Sequence, residues 1–342
     1  MRFISVGNLG SKLGSMLSKD TLLLSTAEQD TKNFINRNNV ITFSEEGASK
    51  RFKMGQKIWE ENIDRLREIL EDYQNEKVIL ISSLGGGSGS SSLSYISKIL
   101  LENNCKVFIV GVLPYKKEVN PPLANAVQAI ESLMPIINKV SVMLFDNNKL
   151  IKEYENDWIE VNNHIVSRVD YILNLLSKYS SDDYSPLTLD QSELNSVIFG
   201  GGFVDFSDTF IEETNPKFEY GKLDKQTKNC LIGMFVDRRI DEEDMEEYHT
   251  LMTNVVNKYS TRVSNARMIP GILRGDIDFS NASDDRITDR CYITIASGLN
   301  IEAYMKKIAK LRDDALKKAE AFSTTTKTER MLNRSDSKKL DI

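Results

Sequence analysis

The feature that most constrains this fold is the stretch VILISSLGGGSGSSSLSYISKIL, which spans residues 78–100. It opens with an apolar run typical of a buried β-strand and closes with apolar residues at helical spacing. Between the two lie seven residues, Gly85 to Ser91, that are all glycine or serine. Because a mobile linker would be out of place between two ordered elements, the stretch predicts a buried strand that turns directly into a helix.

A strand-to-helix turn of this composition suits a phosphate group. Glycines free the backbone N–H groups to point at a ligand, and Ser90 or Ser91 can cap the start of the helix, whose dipole adds positive potential. The alternative is a tight turn in which small residues serve packing alone, and the length of the run favours the phosphate. The run is not a Walker loop, which requires a lysine where Ser90 follows Gly89.

Apolar runs and helical patterns alternate through the first half of the chain. Alternation of this kind predicts an α/β fold, with a parallel sheet covered by helices on both faces and ligands bound at the carboxyl ends of the strands. The predicted strands are residues 2–6, 21–25, 40–44, 77–83, 105–113 and 139–145, and the predicted helices are residues 10–19, 53–73, 92–101 and 123–133.

The second half has a different pattern. A long amphipathic helix with one apolar stripe is predicted near residues 157–178, and strands at 230–236, 266–273 and 291–297 with a helix near 241–259 indicate a smaller α+β domain. We therefore predict a nucleotide-binding domain at residues 1–156, a central helix at 157–180, an α+β domain at 181–300, a helix at 301–322 and a flexible basic tail at 323–342.

Composition excludes several classes of protein. The 342 residues carry a net charge of −6, which argues against coating nucleic acid by charge alone. Only two histidines are present, too few for a histidine-based metal site or triad. Cys105, Cys230 and Cys291 each lie in or beside an apolar run, so we expect buried free thiols in a reducing cytoplasm. No apolar run reaches the length of a membrane span, and we expect no membrane contact.

A second glycine-rich turn follows the first predicted strand. Gly7, Gly10 and Gly14 lie there, and Glu28 stands at the end of the second strand, where a dinucleotide fold places its ribose-binding acid. This turn alone would suggest a nicotinamide-dependent dehydrogenase, which stays the minor alternative. Two glycine turns, after the first and fourth strands, suit a ligand with more phosphate.

The glycine run resembles a known signature. GGGSGS, residues 85–90, is similar to the tubulin/FtsZ signature G-G-G-T-G-[ST]-G and departs from it at Ser91, which replaces the last glycine. The other loops of that superfamily have counterparts in the same order along the chain. They are GNLGSKLG at residues 7–14, STAEQD at 25–30, SEEGASK at 44–50, LPYKKE at 113–118 and FDNNKL at 145–150.

The resemblance implies a tubulin/FtsZ-like fold that binds GTP or GDP with Mg²⁺. In the superfamily a polar residue of the sixth loop, here Asn147 or Asn148, recognises guanine, and another near the start of the central helix, here Asn162 or Asn163, does likewise. The expected nucleotide-binding residues are Gly7, Asn8, Gly10, Ser11, Gly47, Gly85, Gly86, Gly87, Ser88, Gly89, Ser90, Asn148 and Asn163.

The resemblance also nominates two catalytic acids. The superfamily carries an N-x-D-x-x-[DE] loop after the central helix, and this chain offers Thr188, Asp190 and Glu193 at that spacing. In the superfamily these acids reach the nucleotide of the next subunit, so GTP hydrolysis depends on head-to-tail filament contact. The alternative is an ordinary acid pair that offsets the dipole at the start of a helix.

The poorer first loop, the long last helix and the basic tail resemble TubZ proteins, the tubulin-like GTPases that partition plasmid and phage DNA. That resemblance implies filaments of this chain and a DNA-binding adaptor protein that docks on the tail, since the tail's charge is too sparse for strong direct DNA binding. A cell-division GTPase of the FtsZ type remains the alternative within the same fold, although the final residues SKKLDI show no apolar anchor motif.

Overall fold

The computed structural model describes residues 1–34, 39–118, 122–175, 180–181, 187–207, 216, 218–237, 245–261, 263–275 and 290–314. Six parallel strands form the sheet of the first half, in the spatial order β3-β2-β1-β4-β5-β6. The parallel sheet predicted from the alternating pattern is therefore confirmed. The strands are β1 (Arg2–Val6), β2 (Leu22–Ser25), β3 (Val40–Thr42), β4 (Lys77–Ser83), β5 (Lys106–Leu113) and β6 (Val140–Asp146).

Helices connect these strands, and two of them begin within the glycine turns. The first helix starts at Gly7 and the fifth at Gly87, so both turns are opening turns of helices rather than extended loops. The helices of this half are α1 (Gly7–Leu17), α2 (Glu28–Thr31), α3 (Phe52–Glu61), α4 (Ile63–Ile69), α5 (Gly87–Glu102), α6 (Pro122–Leu133), α7 (Asn147–Glu153) and α8 (Trp158–Leu173).

The single helix predicted for residues 53–73 is wrong, because Asn62 divides it into α3 and α4. The backbone of Asn62 leaves the helical region, with φ −113° and ψ 19°. Its side chain donates a 2.9 Å hydrogen bond to the carbonyl oxygen of Ile58. Asparagine side chains compete in this way with the backbone ladder of a helix, and the apolar spacing alone does not reveal it.

The second half extends the same sheet, which has eleven strands within the described residues. Strand β8, which the sequence analysis did not predict, joins the halves by pairing parallel with β6 and antiparallel with β11. The elements of this half are β7 (Ser180–Ser181), α9 (Gln191–Ile198), β8 (Gly202–Ser207), β9 (Asn229–Asp237), α10 (Met245–Ser260), β10 (Arg267–Gly275), β11 (Arg290–Ser297) and a last helix, α11, over residues 302–314.

The hydrophobic core lies on both faces of the sheet. One cluster surrounds Trp59 on the side of α3, α5 and α6, and the other packs against α8. The predicted stripe of the central helix is confirmed, since Val161, Ile165 and Val169 are buried. Cys105 and Cys230 are buried free thiols as predicted, whereas the side chain of Cys291 lies outside the described residues. The predicted domain boundaries stay predictions.

A buried carboxyl group on β8 makes folding pH-dependent. Burial and the neighbouring Glu219 raise the pKa of Asp205 from 3.8 to about 7, although its carboxylate accepts hydrogen bonds from the backbone N–H groups of Phe206, Glu219 and Tyr220. Between a pH of about 4 and a pH of about 7, the Asp205 carboxyl group therefore keeps a proton in the folded protein that it has released in the unfolded chain.

We expect the free energy of unfolding to fall as the pH rises from about 4 to about 7, by about 4 kcal/mol for Asp205 alone. Glu219→Gln removes the nearby negative charge and should reduce this fall, because it lowers the pKa of Asp205. Urea unfolding at pH 5, 6, 7 and 8 measures the effect, with the exposed Glu302→Gln as control. An unchanged pH profile in Glu219→Gln would contradict the assignment.

Candidate functional site

An open cavity of about 500 Å³ lies at the carboxyl ends of β1 and β4. Both glycine turns form its walls, and residues of three of the other loops named in the sequence analysis also line it. Ligands bind at this edge in open α/β sheets. The lining residues are Val6, Gly7, Asn8, Leu9, Lys12, Ala27, Gln29, Asp30, Glu46, Ala48, Ser49, Lys50, Ser83, Gly85, Gly86, Gly87, Ser88, Gly89, Glu118 and Pro122.

The two glycine turns meet at Gly7 and Gly89. Gly7 has φ +74°, and a Cβ atom built on it would lie 3.5 Å from the backbone nitrogen of Gly89. The positive φ lets the chain leave β1 and enter α1 without a connecting loop. Asn8 lines the cavity beside them, so the structure brings these predicted residues together.

Gly10 and Ser11 lie behind the cavity wall rather than in it. A Cβ atom on Gly10 would lie 2.8 Å from the carbonyl oxygen of Ile81 on β4, so this glycine allows α1 to pack closely on the sheet. Ser11 is fully buried, and its hydroxyl group finds no hydrogen-bond partner among the described residues. The structure assigns Gly10 to packing and does not bring either residue to the cavity surface.

The signature run divides into one open glycine and several confined ones. A Cβ atom on Gly86 would meet no atom within 4 Å, whereas one on Gly87 would lie 2.7 Å from the Cβ of Ala48 and one on Gly89 would lie 2.8 Å from the carbonyl oxygen of Ser83. Gly86 therefore presents bare backbone to the cavity. The neighbouring glycines are small because the surrounding chain is close.

Ser90 serves the helix rather than the cavity surface. Its hydroxyl group donates a hydrogen bond back to the carbonyl oxygen of Gly86, and its side chain is fully buried. The run thus closes on itself by a bond within the first turn of α5. Gly85 lines the cavity and packs against Pro114, since a Cβ atom on it would lie 2.8 Å from the Cβ of that proline.

Ser88 is the most connected residue of the signature. Its hydroxyl group lies 2.5 Å from the hydroxyl oxygen of Thr26 and 3.4 Å from a carboxylate oxygen of Asp30. Its carbonyl oxygen accepts a 3.2 Å hydrogen bond from the indole of Trp59, which is fully buried. These contacts fix the signature against the loop after β2 and against α3, and the contact with Trp59 was not predicted from the sequence.

Asn125 on α6 holds two loops at the mouth of the cavity. Its side-chain amide donates 2.9 Å hydrogen bonds to the carbonyl oxygens of Lys50 and Gly85, and it is buried. The loop of residues 44–50 turns at Gly47, which has φ +71° and packs on Ala27 without lining the cavity. Sequence reasoning missed Asn125, because a single asparagine in a helical pattern carries no signal.

Gly55 on α3 accommodates Ser91, the residue that departs from the superfamily signature. A Cβ atom on Gly55 would lie 2.2 Å from the Ser91 hydroxyl oxygen. That hydroxyl group donates a 2.6 Å hydrogen bond to the carbonyl oxygen of Gly87. The missing glycine of the signature is therefore offset by a glycine on the facing helix.

A second cavity of about 340 Å³ lies between α1 and the start of α8. Asn162 and Asn163, the two candidates for base recognition on the central helix, both line it together with Met16 and Ile159. Asn163 also donates a 3.5 Å hydrogen bond to Glu160. The cavity offers apolar walls and two side-chain amide groups, which suit a flat heterocycle with polar edges.

Asn148, the predicted base-reading residue of the sixth loop, uses both ends of its side-chain amide within the protein. Its amide nitrogen donates to the carbonyl oxygen of Pro114 at 3.2 Å and to Asp146 at 2.8 Å, and its oxygen accepts from the backbone of Lys116 at 2.7 Å. It lines neither cavity. Asn147 also lines neither cavity, but it is buried with a side-chain oxygen that finds no hydrogen-bond partner among the described residues.

Asp190 and Glu193 form a capping box at the start of α9. The Asp190 carboxylate accepts a 2.8 Å hydrogen bond from the backbone of Glu193, whose own carboxylate accepts a 3.3 Å bond from the backbone of Asp190 and lies 3.8 Å from Arg267. The local alternative, an acid pair at a helix start, is thus realised. Neither acid lines the cavity of its own chain, and their catalytic role stays a prediction.

Comparison with known proteins agrees with this geometry. Residues 3–155 match the model of the family described as Tubulin/FtsZ family, GTPase domain. Residues 3–155 are therefore similar to the GTPase domain of the tubulin/FtsZ family. This match covers the strands and helices that build the 500 Å³ cavity, and it favours a tubulin/FtsZ-type site over that of a nicotinamide-dependent dehydrogenase.

Curated relatives of this tubulin/FtsZ domain share part of its sequence. The tubulin-like protein CetZ1 of Haloferax volcanii is 24% identical over 157 residues, which are 44% of this chain and 39% of the relative. The cell division protein FtsZ of Mycoplasmopsis pulmonis is 31% identical over 108 residues, which are 32% of this chain and 27% of the relative. The matched part thus spans less than half the length of each of these relatives.

Solved structures of tubulin-like proteins share the fold over nearly the whole chain. A GTPγS-form protofilament of TubZ from Bacillus thuringiensis serovar israelensis matches with a TM-score of 0.71 and 16% identity, covering 94% of both chains. A GTPγS-bound protofilament of CetZ2 from Haloferax volcanii matches with a TM-score of 0.67 and 15% identity, covering 94% of this chain and 100% of CetZ2. At these identities the likeness establishes the fold, which is tubulin/FtsZ-like in both halves.

Proposed function

We propose that this protein binds GTP, assembles head to tail into filaments and hydrolyses GTP between adjacent subunits. The observation that carries the proposal is the cavity where Gly7 and the run Gly85–Gly89 converge at the starts of two helices. Helix starts with exposed glycine backbone bind phosphate groups, and this pair belongs to a tubulin/FtsZ domain.

The first turn of α5 supplies the donors for the phosphate groups. The opening N–H groups of a helix have no partner within the helix, and here they belong to Gly87, Ser88 and Gly89 at the cavity wall. The dipole of this 16-residue helix adds positive potential at the same point. Gly86 leaves room for a phosphate oxygen to approach the backbone closely.

The base of the nucleotide would occupy the second cavity. Met16 and Ile159 supply apolar contact, and Asn162 or Asn163 supplies the amide that pairs with the base edge. The unpartnered side-chain oxygen of Asn147 makes it a stronger candidate than Asn148 for the second polar contact, because the side-chain amide of Asn148 already pairs with Pro114 and Lys116 of the fifth loop.

The residues of the cavity fit a magnesium ion that is held chiefly by the nucleotide. Asp30, Glu46 and Glu118 line the cavity and offer the hard oxygen donors that Mg²⁺ prefers. Among the described residues no cluster of three or more His, Cys, Asp or Glu is placed to hold a metal alone. When bound, the ion would neutralise charge on the phosphate oxygens, which it usually does with most of its shell taken from phosphate and water.

Hydrolysis would require the next subunit. Asp190 is exposed at the start of α9 and lies outside the cavity of its own chain. A head-to-tail contact would bring the Asp190 and Glu193 of one subunit against the cavity of another, where a carboxylate can orient the attacking water. Such a contact does not close on itself and generates an open filament. The protofilaments of TubZ and CetZ2 support this arrangement by likeness of fold.

We further propose that the filaments position plasmid or phage DNA in the cytoplasm through a DNA-binding adaptor on the C-terminal tail. Support comes from the structural likeness to TubZ proteins, including one from Clostridium botulinum phage c-st, which matches with a TM-score of 0.63. The tail lies outside the described residues. Its basic residues are Lys327, Arg330, Arg334, Lys338 and Lys339. Within the described residues, none of the helices has both the length and the apolar character that a membrane span needs.

Deleting the residues after Phe322 is expected to abolish adaptor binding and to leave polymerisation unchanged, because the proposed filament contact involves the cavity and the acids Asp190 and Glu193 rather than the tail. Pull-down from the host with full-length and truncated protein, analysed for bound DNA and DNA-binding proteins, measures the first effect. Sedimentation with GTP measures the second. Equal capture of the adaptor by both proteins would contradict the role of the tail.

Cell division is the second candidate function. The observation in its favour is that the cell division protein FtsZ of Mycoplasmopsis pulmonis is among the relatives found by sequence, at 31% identity over 108 residues. The same pull-down separates the candidates, since a division protein would capture division components and no DNA.

Mixing purified protein with GTP, GDP or NADH and recording light scattering with phosphate release tests the primary proposal. We expect scattering and phosphate release with GTP only. Binding of NADH would contradict the proposal. The absence of both scattering and phosphate release with GTP, at protein concentrations above those at which relatives of this fold polymerise, would contradict it too.

A further inference from the structure

One face of α1 runs from the first cavity to the second. Asn8 and Leu9 line the phosphate cavity, Ser15 and Met16 line the base cavity, and Lys12 lines both. Residues three and four positions apart share a helix face, so these side chains form one continuous strip. The side of α1 that faces away from this strip carries Gly10 and Gly14, which are buried with the adjacent Leu13, and this burial fixes the rotation of the helix.

Lys12 is an exposed cation at the point where the cavities meet. Its ammonium group forms no ion pair among the described residues, whereas Arg67 and Lys306 elsewhere on the surface pair with Glu102 and Glu302. An unpaired lysine inside a concave site keeps its charge available to a ligand, and its flexible stem lets the ammonium group reach a single anionic oxygen.

More acidic than basic side chains line the phosphate cavity, so the positive charge of Lys12 favours the binding of an anionic ligand there. Three carboxylates, Asp30, Glu46 and Glu118, line the cavity, against two lysines, Lys12 and Lys50. A nucleotide polyphosphate is strongly anionic, and the glycine turns offer it only neutral backbone donors. A positive charge where the two cavities meet therefore offsets the repulsion between the polyphosphate and these carboxylates, which the neutral backbone of the signature run cannot offset.

We infer that Lys12 is a positioning residue that pairs with the α-phosphate, the phosphate next to the ribose. This inference rests on the proposed function, in which the polyphosphate lies against the glycine turns and the base lies between α1 and α8. The α-phosphate is the one that must sit between these two sites. The pairing fixes the junction of nucleoside and polyphosphate, and it serves every guanine nucleotide alike.

Calorimetric titration of the full-length chain with GTP, GDP, GMP and guanosine tests the inference. Lys12→Gln should weaken the binding of GTP, GDP and GMP by about tenfold each and leave guanosine unchanged, because a charge-assisted hydrogen bond is lost. Lys12→Arg should stay within about threefold of the unaltered protein. Lys19→Gln is the matched control, since it removes the same charge just beyond α1 and lines neither cavity.

The outcomes separate this inference from the function on which it rests. If the unaltered chain binds neither GTP nor GDP, the proposed function is wrong and the inference falls with it. If it binds both and Lys12→Gln binds them equally well, only the inference is wrong. A loss confined to GTP would place the lysine at the γ-phosphate, and an equal loss for guanosine would place it at the nucleoside; either result overturns the α-phosphate assignment. Thermal unfolding of Lys12→Gln should match the control.

Discussion

Asp190→Asn is expected to leave GTP affinity unchanged, to slow GTP turnover by about 100-fold or more, and to give filaments that persist after GTP addition. Loss of a positioned carboxylate that handles a proton costs a factor of this size. Binding survives because Asp190 lies outside the cavity of its own chain. Phosphate release, nucleotide titration and the lifetime of sedimentable filaments measure the three effects.

The choice of asparagine separates chemistry from folding. Asp190 caps α9 by accepting the backbone hydrogen bond of Glu193, and asparagine caps a helix about as well as aspartate. Asp190→Ala would lose the cap too, at a cost of about 1 kcal/mol, and its slower turnover would be ambiguous. Asp157 caps α8 in the same manner, so Asp157→Asn is the control with the same change of charge. Normal turnover in Asp190→Asn would refute the proposed role.

Gly86→Ala and Gly89→Ala are both expected to weaken GTP binding, but for different reasons. A methyl group on Gly86 meets no atom of the protein, so the fold should be as stable as before, but the methyl projects from the cavity wall and should weaken GTP binding by about 100-fold. A methyl group on Gly89 would lie 2.8 and 3.2 Å from the carbonyl oxygens of Ser83 and Val6. Because these are backbone atoms, they cannot easily move to make room for it.

Gly89→Ala should therefore lower the free energy of unfolding by about 1–3 kcal/mol, the usual cost of overpacking, and lose GTP binding as well. Urea unfolding measures the stability of both variants, and nucleotide titration measures their affinity for GTP. Weak binding with full stability in Gly86→Ala is the informative combination, because it shows that the open glycine faces a ligand. Unchanged GTP affinity in Gly86→Ala would indicate that the phosphate groups lie elsewhere.

Most elements of the first half were predictable because their signals are local. Each strand is a short apolar run, the longer helices have an apolar spacing of their own, and the glycine run marks the junction between β4 and α5. The short helices α2 and α7 were not predicted. Strand β8 gave no such signal. Gly201 precedes the strand and Gly202 begins it, both with positive φ, and the buried Asp205 interrupts its apolar residues, so its identity depends on pairing with β6 and β11.

The site was predictable in its backbone and not in its supports. The glycine turns are visible in one stretch of chain each, but the pairing of Ser91 with Gly55 depends on two helices that meet only after folding. The same holds for the hydrogen bonds of Asn125 and Trp59 to the signature run. The sixth loop shows the limit most clearly, since its neighbouring asparagines have different surroundings. The side-chain amide of Asn148 pairs with Pro114 and Lys116 of the fifth loop, whereas the buried side-chain oxygen of Asn147 finds no partner among the described residues.

The central claim is that both glycine turns hold the phosphates of one guanine nucleotide, and a crystal structure with GTPγS tests it most directly. The account predicts phosphate oxygens within hydrogen-bond distance of the backbone nitrogens of Gly87, Ser88 and Gly89, with Gly7 on the other side of the same group. A nucleotide bound with its phosphates away from both turns would contradict it.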